Sequence, residues 1–448
     1  MLRKFLEDMP FSQLIGAIGK FEIWDIVAAF QDDPVAQSCY YKIWRSVASE
    51  HFDRNDPWVM NMLRGQWELA TGQILVESYP IDVVLPIADF CNARCKFCTS
   101  WLEGMSYLKP SQIERFTPLL KHAHFFGFQG HGEPLLNPRF DEVFDLIMAR
   151  LDVRCLTYII TNGRLLGQKL DRLLAGGLTG YHISLNAANA STHQKVMGLG
   201  EGAFEEILDG IRRLIAAKHS ARRRFDVNLS LVLTKENLAE APSFIDLGNE
   251  LGADTIFIKS LAPVGAVSVD DPYMALSPAY DSRLPDVLEK IRARIPGSNA
   301  KIVWFPEIYG NQTVWPKPSN NISVETSAVR ANHLSDGILQ KDTRRVRYLA
   351  QGCGEIEDDP VTDGPDPWNR QTPYRCAFPY VNFMCTNLTF QLFPCCYMTR
   401  ISGAAPMVFG EDTEFFSLWN SPAYQRLRRH LRDGPLLAPC KTCPQDDI

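Results

Sequence analysis

Between residue 82 and about residue 260, short apolar runs alternate with longer amphipathic stretches. The runs read DVVLPIA, HFFGFQG, CLTYIIT, GYHISLN, DVNLSLVL and DTIFIKS, and they predict strands. The segments between them, among them NPRFDEVFDLIMARL, GAFEEILDGIRRLIAAK and APSFIDLGNELG, carry apolar residues at helical spacing. Six βα units in a row predict an α/β fold with a parallel sheet and right-handed crossovers. The pattern admits a doubly wound sheet or part of a barrel. In either, chemistry gathers at the C-terminal ends of the strands.

The flanks read differently. Residues 1–78 show helical spacing, many aromatics and no alternating strand, which predicts a helical N-terminal extension. Within it, FSQLIGAIGKFEIWDIVAAF is apolar, but Lys20, Glu22 and Asp25 interrupt it, so it reads as a packed helix rather than a membrane span. Residues 79–264 hold the βα repeat. Residues 265–375 are irregular, with Pro, Asn, Asp and Gly recurring in WPKPSNNIS and EDDPVTDGPDPWNRQTP, and read as an insertion or linker closing the site. Its aromatics Trp304, Phe305, Tyr309, Trp315 and Trp368 are candidates for substrate walls or for core. Residues 376–448 form a cysteine-rich tail with one short helical segment, SPAYQRLRRHL.

A net charge of −6 argues against a general nucleic-acid binder, which usually presents a basic face. MLRKFLEDMPF lacks the apolar core of a signal peptide, which points to a reducing, cytoplasmic compartment. Twelve cysteines then favour metal or redox roles over disulfides. They divide into Cys91, Cys95 and Cys98; a second group of Cys376, Cys385, Cys395, Cys396, Cys440 and Cys443; and the isolated Cys39, Cys155 and Cys353, which default to core packing.

CNARCKFC, at 91–98, places three thiols just after the first predicted strand. Soft thiolates suit iron–sulfur or zinc. Three ligands leave one metal position open, as a catalytic metal requires. The residues alone also permit a zinc site with a distant fourth ligand, or three packed thiols.

The C-x3-C-x2-C spacing, with Phe97 before the third cysteine, resembles the radical S-adenosylmethionine (SAM) superfamily. The resemblance runs through the six βα units and implies a partial (βα)6 TIM-like barrel. It also implies a [4Fe–4S] cluster on Cys91, Cys95 and Cys98, whose free iron chelates SAM and whose electron cleaves it to a 5′-deoxyadenosyl radical. GHGEPLLNP resembles the family's glycine-rich motif, which assigns Gly130, Gly132 and Glu133 to SAM, with Glu133 accepting from its amino group. Taken alone, the same stretch is a Gly-Pro turn, with His131 in a packing or loop role. ITNGRLL supplies Thr161 and Asn162, and ISLNAAN supplies Ser184 and Asn186, as further SAM contacts. Many relatives have Asp in place of Asn186. Thr161 and Asn162 also suit ordinary turns. Met197 stands where relatives often have arginine, and Asn237 suits a helix start or a place around SAM, with capping the better fit.

The tail resembles the C-terminal half of SPASM and twitch enzymes. That resemblance implies an auxiliary [4Fe–4S] cluster on Cys376, Cys395, Cys440 and Cys443, with Cys385 a core thiol. Cys396 is the alternative to Cys395. With the chain ending at Ile448, a second auxiliary cluster lacks ligands, hence the twitch arrangement. A zinc ribbon is the alternative that the C-x2-C at Cys440 permits.

The resemblance implies an electron donor such as flavodoxin or ferredoxin, and leaves the outcome of the reaction open. The first expectation is oxidation or dehydration of a polar small molecule, a sugar or aminocyclitol, as in aminoglycoside antibiotic biosynthesis. The second is crosslinking or epimerisation of a ribosomally made peptide. Such enzymes often carry an N-terminal winged-helix module with a β-hairpin, and residues 1–78 lack a hairpin signal. Sulfatase-type protein maturation and a non-enzymatic iron–sulfur role rank behind these. The expected partners are a small-molecule substrate and the electron donor, with no nucleic acid and no membrane.

Overall fold

The computed structural model describes residues 1–98, 105–130, 132–220, 224–260, 276, 278, 281–304, 376–385, 388–392, 407–410 and 413–435. Six parallel strands form where the apolar runs predict them: β1 (Asp82–Pro86), β2 (Phe125–Gln129), β3 (Leu156–Thr161), β4 (Gly180–Ser184), β5 (Asp226–Leu233) and β6 (Thr255–Ser260). Two more join the same sheet, β7 (Lys301–Trp304) beside β6 and β8 (Asn382–Met384) beside β1, giving the order β7-β6-β5-β4-β3-β2-β1-β8. Both added pairings are parallel.

Five helices precede β1: α1 (Leu2–Glu7), α2 (Phe11–Ala17), α3 (Ile23–Ala29), α4 (Pro34–Val47) and α5 (Pro57–Thr71). The stretch expected to be one packed helix is two, α2 and α3, parted by a 3-10 turn at Ile18–Lys20. Gly19 lies in that turn, where a Cβ would stand 3.3 Å from Val47 Cγ1, so the break lets α4 approach. Asp33 and Asp56 cap α4 and α5, each followed by proline at the first helical position, and Gly72 ends α5 in the left-handed conformation. Helix α5 docks on the sheet through Trp58, which stacks on His124 and donates to the Ala123 carbonyl at 2.9 Å.

Within the repeat, the helices are α6 (Thr117–His122), α7 (Phe140–Met148), α8 (Leu166–Gly176), α9 (Ala190–Met197), α10 (Ala203–Ser220) and α11 (Ala241–Leu251). Side-chain alternation sorts the two faces of the sheet. Phe128 meets Phe140 and Phe144 of α7, and a Cβ on Gly248 of α11 would stand 2.4 Å from Ile256 Cδ1. Phe128, Leu229 and Ile256 therefore face helices. Gln129, Asn228, Phe257 and Lys259, one residue out of step, face the other way, onto the inner face of the sheet.

The region expected to be irregular contributes order at its start: α12 (Leu284–Arg294), packed on α11, leads into β7 and completes a seventh βα step. The tail returns to the β1 edge. A short helix, α13 (Phe378–Val381), precedes β8; a two-stranded pair, β9 (Gln391–Leu392) with β10 (Met407–Val408), and helices α14 (Phe415–Trp419) and α15 (Pro422–Asp433) follow. Arg428 of α15 is fully buried, and its guanidinium bonds the carbonyls of Pro379 and Ile74 and the side chain of Asn420. Asn420 exchanges two 2.9 Å bonds with the Val76 backbone, so the tail is stitched to the segment just before β1. Among the described residues, no helix is long and apolar enough to cross a membrane.

Candidate active site

The cysteine loop leaves the C-terminal end of β1 and is gripped on two sides. The Arg94 and Lys96 N–H groups donate to the Met197 and Val196 carbonyls at 2.8 and 3.0 Å, at the end of α9. Gly198 follows there at φ 62°, and a Cβ on it would stand 2.7 Å from Arg94 Cβ, so only glycine permits this approach. On the other side, the Gly132 and Glu133 N–H groups donate to the Ala88 and Phe90 carbonyls at 3.0 and 2.9 Å. A Cβ on Gly132 would lie 2.2 Å from the Phe90 carbonyl oxygen, and one on Gly130 3.1 Å from that of Ala88. The two glycines thus permit the contact between loops, in addition to the ligand approach that the motif suggests. Asn137, at the end of the motif, is buried and donates to the Ile87 and Leu108 carbonyls.

Glu133 is 2% exposed. Its carboxylate accepts from Thr161 Oγ1 and the Asn162 N–H, both at 2.7 Å, and from the Leu135 N–H at 3.2 Å. Burial pushes its carboxyl up to about 7, against these three donors. Asn162 Nδ2 donates to Asn92 Oδ1 at 2.7 Å and reaches the Cys91 sulfur at 3.6 Å, while Asn162 Oδ1 accepts from the Arg164 N–H. Thr161 Oγ1 also accepts from the Gly163 N–H at 3.0 Å. The two residues that suit a turn do form one, and that turn links the glutamate to the first cysteine.

Asn186 follows β4 at φ 59°, a conformation asparagine tolerates better than most residues. It is buried; its Oδ1 accepts from the Val232 N–H at 2.8 Å and its Nδ2 donates to Met197 Sδ at 3.1 Å. Asn237 was expected to cap a helix, but its side chain makes no capping bond. It joins strand ends instead, donating to the Asn186 and Val232 carbonyls and accepting from Thr234. Ser184 lies at the end of β4, in register with Ser230. Met197 Sδ is 3.5 Å from Cys95 Sγ, so the residue that replaces a common arginine packs directly on the cysteine loop.

Cys91, Cys95 and Cys98 are all partly exposed. Burial pushes the Cys91 thiol up to about 11, with Glu133 and Cys98 adding to the rise; burial, then Cys98 and Cys91, hold Cys95 higher still. The three cysteines sit on one loop of eight residues after β1. The Ala93 N–H at 3.4 Å and Asn162 Nδ2 both point at the Cys91 sulfur, as donors to a thiolate do. Among the described residues no three Cys, His, Asp or Glu side chains converge tightly enough for a single metal ion. A cubane spreads its ligands more widely, and three soft sulfurs with N–H donors behind them fit a three-thiolate iron–sulfur cluster. Phe97 is partly buried against the core.

Of the second cysteine group, Cys376 and Cys385 are buried on either side of β8, and Cys385 belongs to the hydrophobic core. Cys395, Cys396, Cys440 and Cys443 lie outside the described residues, as do His131, Phe305, Tyr309, Trp315, Cys353 and Trp368. Trp304 ends β7. Cys39 and Cys155 are buried core thiols.

Residues 85–248 match the family model described as the radical SAM superfamily, and residues 391–444 match that of the iron–sulfur cluster-binding (SPASM) domain. The chain thus carries a radical SAM domain over residues 85–248 and a SPASM domain over residues 391–444. These two domains imply SAM, a [4Fe–4S] cluster that binds it, and an auxiliary cluster. Cys376 lies outside the matched span. A probable GTP 3′,8-cyclase of Saccharolobus solfataricus is 31% identical over 193 residues, covering 41% of this chain and 58% of the relative. An AdoMet-dependent heme synthase of Methanosarcina barkeri is 32% identical over 154 residues, covering 34% of this chain and 40% of the relative. The matches therefore span about half the length of these curated relatives. The structure of Streptococcus suis SuiB bound to S-adenosylmethionine aligns with a TM-score of 0.54 at 13% identity, over 88% of this chain and 83% of that one. It shares the fold.

Sequence reasoning overlooked the joining roles of Asn92 and Arg94. It also passed over two polar residues on the inner face, Asn228 and Lys259. The signal was present: DVNLSLVL and DTIFIKS each carry a polar residue inside a strand buried by its neighbours.

Proposed function

We propose that this chain is a radical SAM enzyme that abstracts hydrogen from a polar small molecule and completes an oxidation or dehydration. The observation that carries this reading is the joining of Glu133, Asn162 and Cys91, the first of three cysteines on one loop, at the C-terminal ends of β1, β2 and β3. When bound, the cluster and SAM together supply the electron and the 5′-deoxyadenosyl radical. Cys91, Cys95 and Cys98 hold that cluster. Asn162 and the Ala93 N–H support the Cys91 sulfur. A carboxylate has about four acceptor sites, and Glu133 uses three on its own chain, leaving one for the SAM ammonium. Gly130 and Gly132 hold that carboxylate against the cysteine loop. Thr161 positions Glu133, Asn186 secures the strand ends beneath the ligand, and Ser184 and Phe97 border the SAM site.

Cys376, Cys395, Cys440 and Cys443 hold the auxiliary cluster, and a flavodoxin or ferredoxin delivers the electron. The polar residues on the inner face favour a polar substrate. Five helices with no strand before β1 disfavour the hairpin-bearing peptide-recognition module.

The test is anaerobic reconstitution with iron and sulfide, followed by dithionite and SAM. Release of 5′-deoxyadenosine supports the reading. A protein that carries its clusters yet releases none overturns it.

A further inference from the structure

Lys259 lies at the C-terminal end of β6 on the inner face, two residues above Phe257. It is 8% exposed. Its ammonium stands 5.6 Å from the centre of the Phe257 ring, and no hydrogen bond or ion pair to it is present among the described residues. This is a costly arrangement: a buried charge is ordinarily paired, and a cation over an aromatic face recovers only part of the lost hydration. An apolar residue would fill the position without that cost.

A second observation on the same face points the same way. Asn228 of β5 is 7% exposed, and its Oδ1 has no hydrogen-bond partner among the described residues. Its register mate on β4 is His182, whose ring lies 5.1 Å from that of Phe257. Lys259, Phe257, His182 and Asn228 thus form one continuous track down the inside of the sheet, with polar groups at both ends.

We propose that Lys259 anchors an anionic oxygen of the substrate, a carboxylate or a phosphate, inside the sheet. This rests on the radical SAM reading, and narrows the polar substrate to one that carries an acidic group. Burial holds the Lys259 amine down to about 7, so the site is poised for a charge that the ligand itself supplies. The same chemistry is available from the methionine carboxylate of SAM, and the test separates the two.

The experiment is calorimetric titration of the anaerobically reconstituted full chain with inorganic phosphate and with acetate, at constant ionic strength. Each titration is run with and without saturating SAM, on wild type, Lys259→Met and Lys259→Arg. Lys259→Gln stands in if the methionine variant does not fold. The expected result is that one of the two anions binds wild type with SAM present, binds Lys259→Met or Lys259→Gln at least tenfold more weakly, and binds Lys259→Arg within a few-fold of wild type. The arm that binds tells carboxylate from phosphate. Equal binding by wild type and the uncharged variant, or no binding of either anion, overturns the proposal. Anion binding abolished by SAM, together with tenfold weaker SAM binding in the variant, assigns Lys259 to the SAM carboxylate and also overturns it. Release of 5′-deoxyadenosine by wild type is measured separately, so failure of the radical reading stays distinct from failure of the anion site.

Discussion

The side-chain amide of Asn162 lies 3.6 Å from the sulfur of Cys91, while the backbone N–H of the same residue is 2.7 Å from the carboxylate of Glu133. One residue at the end of β3 therefore couples the first cysteine to the glycine-rich loop after β2. Hydrogen bonds to cluster sulfurs help set reduction potential. Asn162→Ala is expected to keep its iron but shift the SAM-binding cluster to a more negative midpoint, read by an EPR-monitored redox titration. An unchanged midpoint would mean that the amide serves only the turn.

Replacing Cys91, Cys95 and Cys98 together by Ala removes every thiolate of the SAM-binding cluster. The variant should lose about four irons per chain and retain the auxiliary cluster, since each cubane holds four. Iron and sulfide analysis gives the count. If the triple variant still cleaves SAM under reduction, the assignment of these cysteines is wrong.

Glu133 separates into a packing part and a charge part. Glu133→Gln keeps one acceptor oxygen, for the Asn162 N–H, and can donate its amide to the Thr161 hydroxyl, but it loses the charge, so SAM binding should weaken by about 1.5–3 kcal/mol with the cluster intact. Glu133→Ala removes the acceptor of three donors, the Thr161 hydroxyl and the Asn162 and Leu135 N–H groups, and should also destabilise the fold by about 1–3 kcal/mol for each one left unsatisfied. Calorimetric SAM titration and chemical denaturation distinguish the two variants. Unchanged SAM affinity in Glu133→Gln would reduce GHGEP to a structural turn.

Lys259 imposes a pH dependence of known sign. Its folded-state pKa is lowered by burial from 10.5 to about 7. Between those values the unfolded chain binds the proton and the folded chain does not, so stability rises with pH across that window. The gain is at most roughly 1.4 kcal/mol for each pH unit crossed. His182 on β4, Asp226 on β5 and Lys301 on β7 are the other titratable groups on inner positions of neighbouring strands. Denaturation of wild type and Lys259→Met from pH 7 to 10 should show a rise that the variant lacks. Parallel profiles would place the amine in water.

The auxiliary cluster is tested by the ratio of product to 5′-deoxyadenosine. If the substrate radical passes its second electron to that cluster, Cys440→Ala should still cleave SAM but form little oxidised product. An elimination would instead preserve the ratio in folded variant protein, and that result would rule out electron acceptance.

The six strands of the repeat and the cysteine loop at the end of the first were legible in the residues, because burial by flanking helices leaves continuous apolar runs and because three thiols in eight residues have few uses. Local patterning does not carry pairing partners distant in sequence. That β8 would add to the β1 edge some 300 residues away, or that α12 and β7 would extend the sheet at 284–304, inside a region that read as irregular, depended on which edges were left open. The same limit applied at the site. Glu133, Asn162 and Cys91 each stood out as candidates, yet a motif says nothing of what each side chain bonds, and that is decided by three strand ends meeting. The glycines of GHGEP suited a ligand in the sequence, and that they also let the motif pack on the cysteine loop is decided by tertiary contact, which puts Phe90 within reach of Gly132. Lys259 is the clearest case. A lone lysine in an apolar strand is ambiguous until side-chain alternation, read against Gly248 of α11, turns it onto the inner face of the sheet.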